Sequence, residues 1–158
     1  MSGLSVFDTS SIRELQHFYP GIFRTVWTGL DALVKSGELI STREVLGEIE
    51  DQNASDHVKS WVNRNRAIFT QPTAEELAFV TKIFDIPHFR QLIGTQNRLI
   101  GNPVADPFVI ACARVRGGTV VTQELFKPNA AKIPNVCKHF NVPCLTLEDF
   151  MVAQGWSF

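Results

Sequence analysis

At 158 residues and 44% hydrophobic content, the chain suits one globular domain, residues 1–158, burying about two thirds of the surface its unfolded form exposes. Its formal net charge of −1 excludes an overall basic field and an acidic tail. Three cysteines, Cys112, Cys137 and Cys144, have neither the paired spacing of a zinc site nor that of a disulfide framework, and are expected to be reduced core residues. The first residues lack a basic segment leading into a long apolar stretch, and no apolar run approaches the roughly 18 residues that span a bilayer. A soluble, cytoplasmic protein with no membrane segment is therefore expected.

The chain opens on a short apolar run, Leu4 to Phe7, that stops at Asp8 and is followed by Thr9 and Ser10. This predicts a buried strand that delivers a carboxylate to the edge of a sheet, where ligands bind in α/β folds. The alternative is that Asp8 starts a turn or caps the next helix. Ser11 and Glu14 have the spacing of a capping box for that helix, which would leave Asp8 free. A short helix over residues 11–19 ends before Pro20.

Residues 21–35 carry Ile22, Phe23, Val26, Trp27, Leu30, Leu33 and Val34, the stripe of a helix lying on a sheet, closed by Gly37. Leu39 and Ile40 predict a second strand. Ser41 and Glu44 then form another predicted capping box, opening a helix to residue 51 with Val45, Leu46 and Ile49 inward. After a polar connector, Val58, Trp61 and Val62 mark a helix that carries Arg64 and Arg66, and Ile68 and Phe69 extend briefly.

Thr73 and Glu76 cap a further helix whose buried side is Leu77, Val80, Ile83 and Phe84, and which Pro87 stops. Residues 94–103 form a polar loop of the kind that serves a site. Asp106 then opens a helix over residues 107–115 that is apolar on nearly every side and belongs at the centre of the molecule. With Pro107 at the first helical position, Asp106 is also a favourable N-cap. Thr119 to Val121 predict a strand running into Thr122, Gln123 and Glu124. Residues 135–140 form a short helix, Cys144 and Leu145 a last strand, and Thr146 with Asp149 caps a terminal helix to Gln154.

Strands separated by helices in this order imply parallel pairing through right-handed crossovers. The predicted fold class is α/β, a three-layer α/β/α sandwich with a central parallel sheet and Rossmann-like topology. Asp8, Asp106 and Glu124 then fall at one rim of the sheet, and Glu48 joins them if its helix crosses that rim. Like charges gathered there repel unless a cation lies between them. Oxygen ligands without histidine or cysteine select Mg²⁺ or Mn²⁺, which commonly work on phosphates.

Four blocks carry a more specific likeness: Val6-Phe7-Asp8-Thr9-Ser10, Val45-Leu46-Gly47-Glu48-Ile49, Ala105-Asp106-Pro107-Phe108-Val109-Ile110-Ala111-Cys112-Ala113, and Val120-Val121-Thr122-Gln123-Glu124. In order and spacing they resemble the four acidic motifs of PIN-domain ribonucleases. The resemblance implies an endoribonuclease in which Asp8, Glu48, Asp106 and Glu124 are the catalytic ligands of one or two Mg²⁺ or Mn²⁺ ions. It also makes Thr122 the hydroxyl residue that orients the site. The small single-domain bacterial members, of the VapC type, are usually toxins, which implies a cognate antitoxin and a homodimer. Glu124, where the family usually has Asp, and Pro107 after the third acid both match a divergent PIN-like branch.

Thr9 and Ser10 are further candidates for binding a water or a phosphate, with turn formation as their alternative. Setting the four acids aside turns the net charge of −1 into +3 for the remainder, and Arg43, Arg64, Arg66 and Arg98 are candidates for an RNA backbone. The four histidines share no ligand spacing and read as structural or surface residues. Trp27 and Trp61 belong to the core, which leaves Trp156 as the candidate exposed aromatic. Aspartyl phosphatases also place Asp after the first strand, but need a second Asp two residues later, where Ser10 stands. The second reading is a PIN-like scaffold without catalysis that binds RNA or another protein.

Overall fold

A computed structural model describes residues 3–93 and 104–157. Five short strands form one parallel sheet: β1 (Ser5–Phe7), β2 (Leu39–Thr42), β3 (Phe69–Thr70), β4 (Thr119–Val121) and β5 (Cys144–Leu145), in the order β3-β2-β1-β4-β5. The register pairs Val6 with Ile40 on one side and with Val120 on the other. The order reverses at β1, since β2 and β3 extend the sheet one way while β4 and β5 extend it the other. The crevice of the sheet therefore opens beyond the ends of β1 and β4.

Around the sheet lie α1 (Thr9–Glu14), α2 (Arg24–Ser36), α3 (Arg43–Asp51), α4 (Asp56–Arg64), α5 (Ala74–Phe84), α6 (Ala105–Arg116), α7 (Ile133–His139) and α8 (Leu147–Ala153). The first layer holds α2, α4 and α8. Phe7 meets Phe150 of α8 edge-on at 5.0 Å, Trp27 meets Trp61 at 6.3 Å, and the Trp61 indole N–H donates to Asp31 at 3.1 Å. The opposite layer holds α5, α6 and α7, joined by the Arg116–Glu76 ion pair at 3.1 Å and by Phe79 against Phe140 at 5.0 Å. This is the predicted three-layer sandwich, with a PIN-like, Rossmann-like topology.

As its sequence requires, α6 is apolar on nearly every side: Val109, Ile110, Cys112 and Ala113 are all fully buried. Gly37 and Gly117 end α2 and α6 at φ 79° and 71°, the left-handed conformation that glycine adopts without a Cβ penalty. Thr73 and Thr146 cap α5 and α8 as their spacing predicts, each side-chain oxygen accepting from the amide three residues on. All three cysteines are free, with Cys112 and Cys137 buried.

Several local expectations are corrected. Ser11 does not cap the first helix; Asp8 does, accepting from the Ser11 amide at 2.8 Å. Ser41 does not cap α3; Thr42 does, accepting from the Val45 amide at 3.3 Å. In both cases the expected serine is used across the sheet, Ser11 donating to Val121 O and Ser41 to Phe7 O. Glu44 turns instead to Arg43, and Glu14 to His17. Asp106 is no N-cap: α6 starts two residues earlier than expected, with Val104 in the capping position and no side-chain bond there. Leu77 is exposed rather than buried, and α2 begins at Arg24, leaving Ile22 outside in solvent. Trp156 is not a free aromatic, because it packs edge-on against Phe150 at 5.6 Å and lies on the backbone of Gly29. The polar loop 94–103 lies outside the described residues.

Candidate functional site

Asp8 leaves β1 at the crevice and is 2% exposed. Its Oδ1 accepts from the Ser11 amide, and the Ser10 hydroxyl stands 2.9 Å from both of its oxygens. The Thr122 hydroxyl donates to Oδ2 from beyond β4. Each hydroxyl has a single proton, and each spends it on Asp8. Their oxygens are thus left to accept, Ser10 from the Gln123 amide at 3.0 Å and Thr122 from the Glu124 amide at 3.1 Å. Two side chains therefore tie the turn after β4 to the carboxylate after β1. Burial raises the Asp8 pKa, and the bonds from Thr122, Ser11 and Ser10 oppose that rise.

Glu48 sits on the second turn of α3, half-buried. One of its oxygens accepts from the Thr9 hydroxyl and the other from the Ala105 amide at 3.0 Å. Glu48 thus supplies the cap that Val104 cannot give α6, and it joins the starts of α1 and α6. Glu124 plays a similar part for α7, where its Oε1 accepts from the Ile133 amide at 3.1 Å. That helix also lacks a side-chain bond from its own capping residue, Lys132.

Asp106 lies in the first turn of α6, facing a cleft of about 330 Å³ that Glu124, Lys132 and Leu92 also line. Among the described residues no donor bonds to its carboxylate. Its pKa is pushed up to about 8, first by burial, then by the charges of Glu124, Asp8 and Glu48, with Lys132 opposing. At neutral pH this group holds a proton or needs a cation beside it. The structure therefore brings all four predicted acids into one electrostatic neighbourhood.

It does not bring them into a formed metal site. Among the described residues, no group of three or more His, Cys, Asp or Glu side chains is placed to hold a metal ion. The donor set suits Mg²⁺ or Mn²⁺ in kind, being hard oxygen throughout, but three of the four carboxylates are turned toward helix starts and hydroxyls.

The supporting residues Thr9, Ser10 and Thr122 do stand at the acids, as bonding partners of Glu48 and Asp8. The arginines do not gather there as free cations. Arg43 pairs with Glu44 at 2.9 Å, Arg66 pairs with Glu50 at 3.1 Å, and Arg64 is exposed on α4. Arg98 lies outside the described residues. Among the described residues, the cation that acts on Asp106 is Lys132, in a stretch outside the sequence expectation. From Leu125 to His139 the chain carries Lys127, Lys132 and Lys138 and no carboxylate, a signal that was present in the sequence.

A family model described as "Domain of unknown function (DUF4411)" matches residues 5–158, and the chain belongs to that family. Among solved structures, the chain is similar to that of the "Crystal Structure of FitAcB from Neisseria gonorrhoeae". The two share 13% sequence identity over 92% of this chain and 99% of that one, with a TM-score of 0.51. That likeness bears on the fold alone. No curated protein matches the sequence. Among the described residues, no helix is long and apolar enough to cross a membrane.

Proposed function

We propose that this DUF4411 member is a PIN-like RNA-binding module that meets RNA at the carboxyl end of its sheet. One observation favours a module over a formed nuclease: among the described residues, no three acids are placed to share a metal ion. Asp8, Glu48 and Glu124 each have a structural task in capping or tying a helix start. What supports RNA as the ligand is the resemblance of the four motif blocks to PIN-domain ribonucleases, together with Lys132, which lines the acidic cleft, and Lys138, which lines the adjoining cleft that shares Glu124 with it.

A second reading has its own observation. The Asp106 pKa is raised to about 8, first by burial and then by three other carboxylates from distant parts of the chain, and a purely structural hub has no need of that fourth acid, which no donor bonds among the described residues. On this reading the chain is a Mg²⁺- or Mn²⁺-dependent endoribonuclease with Asp8, Glu48, Asp106 and Glu124 as metal and catalytic residues. Its place as the toxin of a type II toxin-antitoxin pair, with a cognate antitoxin, a homodimer and a cytoplasmic setting, belongs to the same proposal and rests on the resemblance.

The test is incubation of purified protein with labelled RNA in Mn²⁺, in Mg²⁺ and in EDTA, with binding and cleavage measured in the same samples. Binding that persists in EDTA with no cleavage in any condition supports the module. Cleavage that requires the metal and is lost in Asp106→Asn overturns it in favour of the nuclease.

A further inference from the structure

Two of the large apolar side chains exposed among the described residues are neighbours, Leu125 at 69% and Phe126 at 50%. They directly follow Glu124, on the connector that leads from the acidic cleft to α7. This connector is not a slack loop. The Asn135 side chain grips Lys127 at both backbone groups, donating to its carbonyl at 2.7 Å and accepting from its amide at 3.4 Å. The Glu124 carboxylate holds the far end at Ile133, and the Ala130 amide closes a turn on Lys127 O at 3.1 Å. Phe126 is thus presented to solvent by a fixed frame, and an ordering penalty on binding is avoided.

The Lys138 ammonium lies over the Phe126 ring, 4.9 Å from its centre. The pair forms a ridge between two clefts, one of about 550 Å³ that includes His88, Asn129 and His139, and one of about 400 Å³ that runs past Thr146 back to Glu124. The first cleft shares Ala130, and the second Glu124, with the acidic cleft that holds Asp106. The ridge therefore leads directly from the acids.

We propose that the Phe126–Lys138 ridge, with Lys127 and Lys132, is a stacking and phosphate-binding platform for single-stranded nucleic acid that leads out of the acidic cleft. An aromatic face within a run of cations is the arrangement that binds a strand without reading its sequence: a base stacks on the ring and the lysines follow the backbone. Charge decides against a protein partner of ordinary composition, because every charged side chain from residue 125 to 139 is a cation. The inference rests on the reading that this chain handles RNA, but it holds whether or not the acids cut.

The test is fluorescence anisotropy in EDTA with short labelled oligouridine, oligothymidine and a duplex of the same length. Phe126→Ala should weaken strand binding by about tenfold, since a stacked base contributes roughly 1–3 kcal/mol and about 1.4 kcal/mol is a factor of ten. Phe126→Trp should restore it, and neither change should alter binding of the duplex. Lys127→Gln with Lys138→Gln should reduce the slope of log affinity against log salt by about 1.4, the value for two phosphate contacts on a single strand. Lys35→Gln with Lys82→Gln, which removes the same charge from α2 and α5, should leave both quantities unchanged.

Equal binding of oligouridine and oligothymidine marks the ligand as single-stranded nucleic acid in general, whereas preference for oligouridine marks it as RNA. Unaltered affinity in Phe126→Ala, an equal loss for duplex, or self-association through Phe126 in a protein that binds no strand overturns the inference. Metal-dependent cleavage with unaltered Phe126→Ala affinity would remove the platform and leave the nuclease. Binding through Phe126 without cleavage would keep the platform and remove the nuclease.

Discussion

Replacing Asp106 by Asn removes one charge from a crowded group at nearly constant shape, and its effect on stability has a defined dependence on pH. The folded-state pKa of Asp106 is raised from 3.8 to about 8, so between these values the folded chain binds more protons here than the unfolded chain. Stability from this group is therefore lost as pH rises from about 4 through about 8, and is constant outside that window. At about 1.4 kcal/mol per pH unit, the step from pH 5 to pH 8 costs at most about 4 kcal/mol. Salt and the opening of the half-buried cleft reduce this, giving an expected loss of about 2–4 kcal/mol. Urea melts of both proteins in EDTA should show Asp106→Asn gaining on the parent by that amount between pH 5 and pH 8. Added Mn²⁺ should close the gap only if the acids hold a cation. A difference between the two proteins that does not change with pH, or a variant that is less stable at pH 8, would refute the argument that Asp106 carries the repulsion.

The other acids should behave differently, because each has a bonding partner. Asp8→Asn presents an N–H to hydroxyls that now donate to Asp8, and it weakens the α1 cap, so it should lower stability by about 1–3 kcal/mol at neutral pH in thermal melts. Glu48→Ala should cost about 1–3 kcal/mol by leaving the Ala105 amide and Thr9 hydroxyl unpaired, with faster hydrogen exchange at the start of α6, while Glu48→Gln should cost less than half as much. Gly29→Ala would place a methyl 2.2 Å from a ring carbon of Trp156. The indole must move, which should cost about 1–3 kcal/mol and shift the tryptophan emission to longer wavelength.

The elements themselves were legible because their signals are local. Apolar runs that end at Asp8 and at Thr122 gave the ends of β1 and β4, all-round burial identified α6, and Gly37 and Gly117 ended their helices where a left-handed residue was needed. The same runs singled out the acids, since a carboxylate directly after a buried strand has only the rim of the sheet to occupy. What each acid does there was decided by residues far away in the chain. Ser11 and Ser41 have the spacing of helix caps, but once the strands pair, their hydroxyls lie beside the last carbonyls of β4 and β1 and bond to those instead. The α1 cap therefore falls to Asp8, and the α3 cap to Thr42. In the same way α6 and α7 begin without capping side chains of their own, and Glu48, 57 residues from Ala105, and Glu124, nine from Ile133, fill those positions. Sequence determined which carboxylates reach the rim, because burial in a strand is a property of a few neighbouring residues. Only the tertiary structure decided which of them are bonded and which one has no donor among the described residues, because a buried amide takes the nearest acceptor in space, wherever in the chain it comes from.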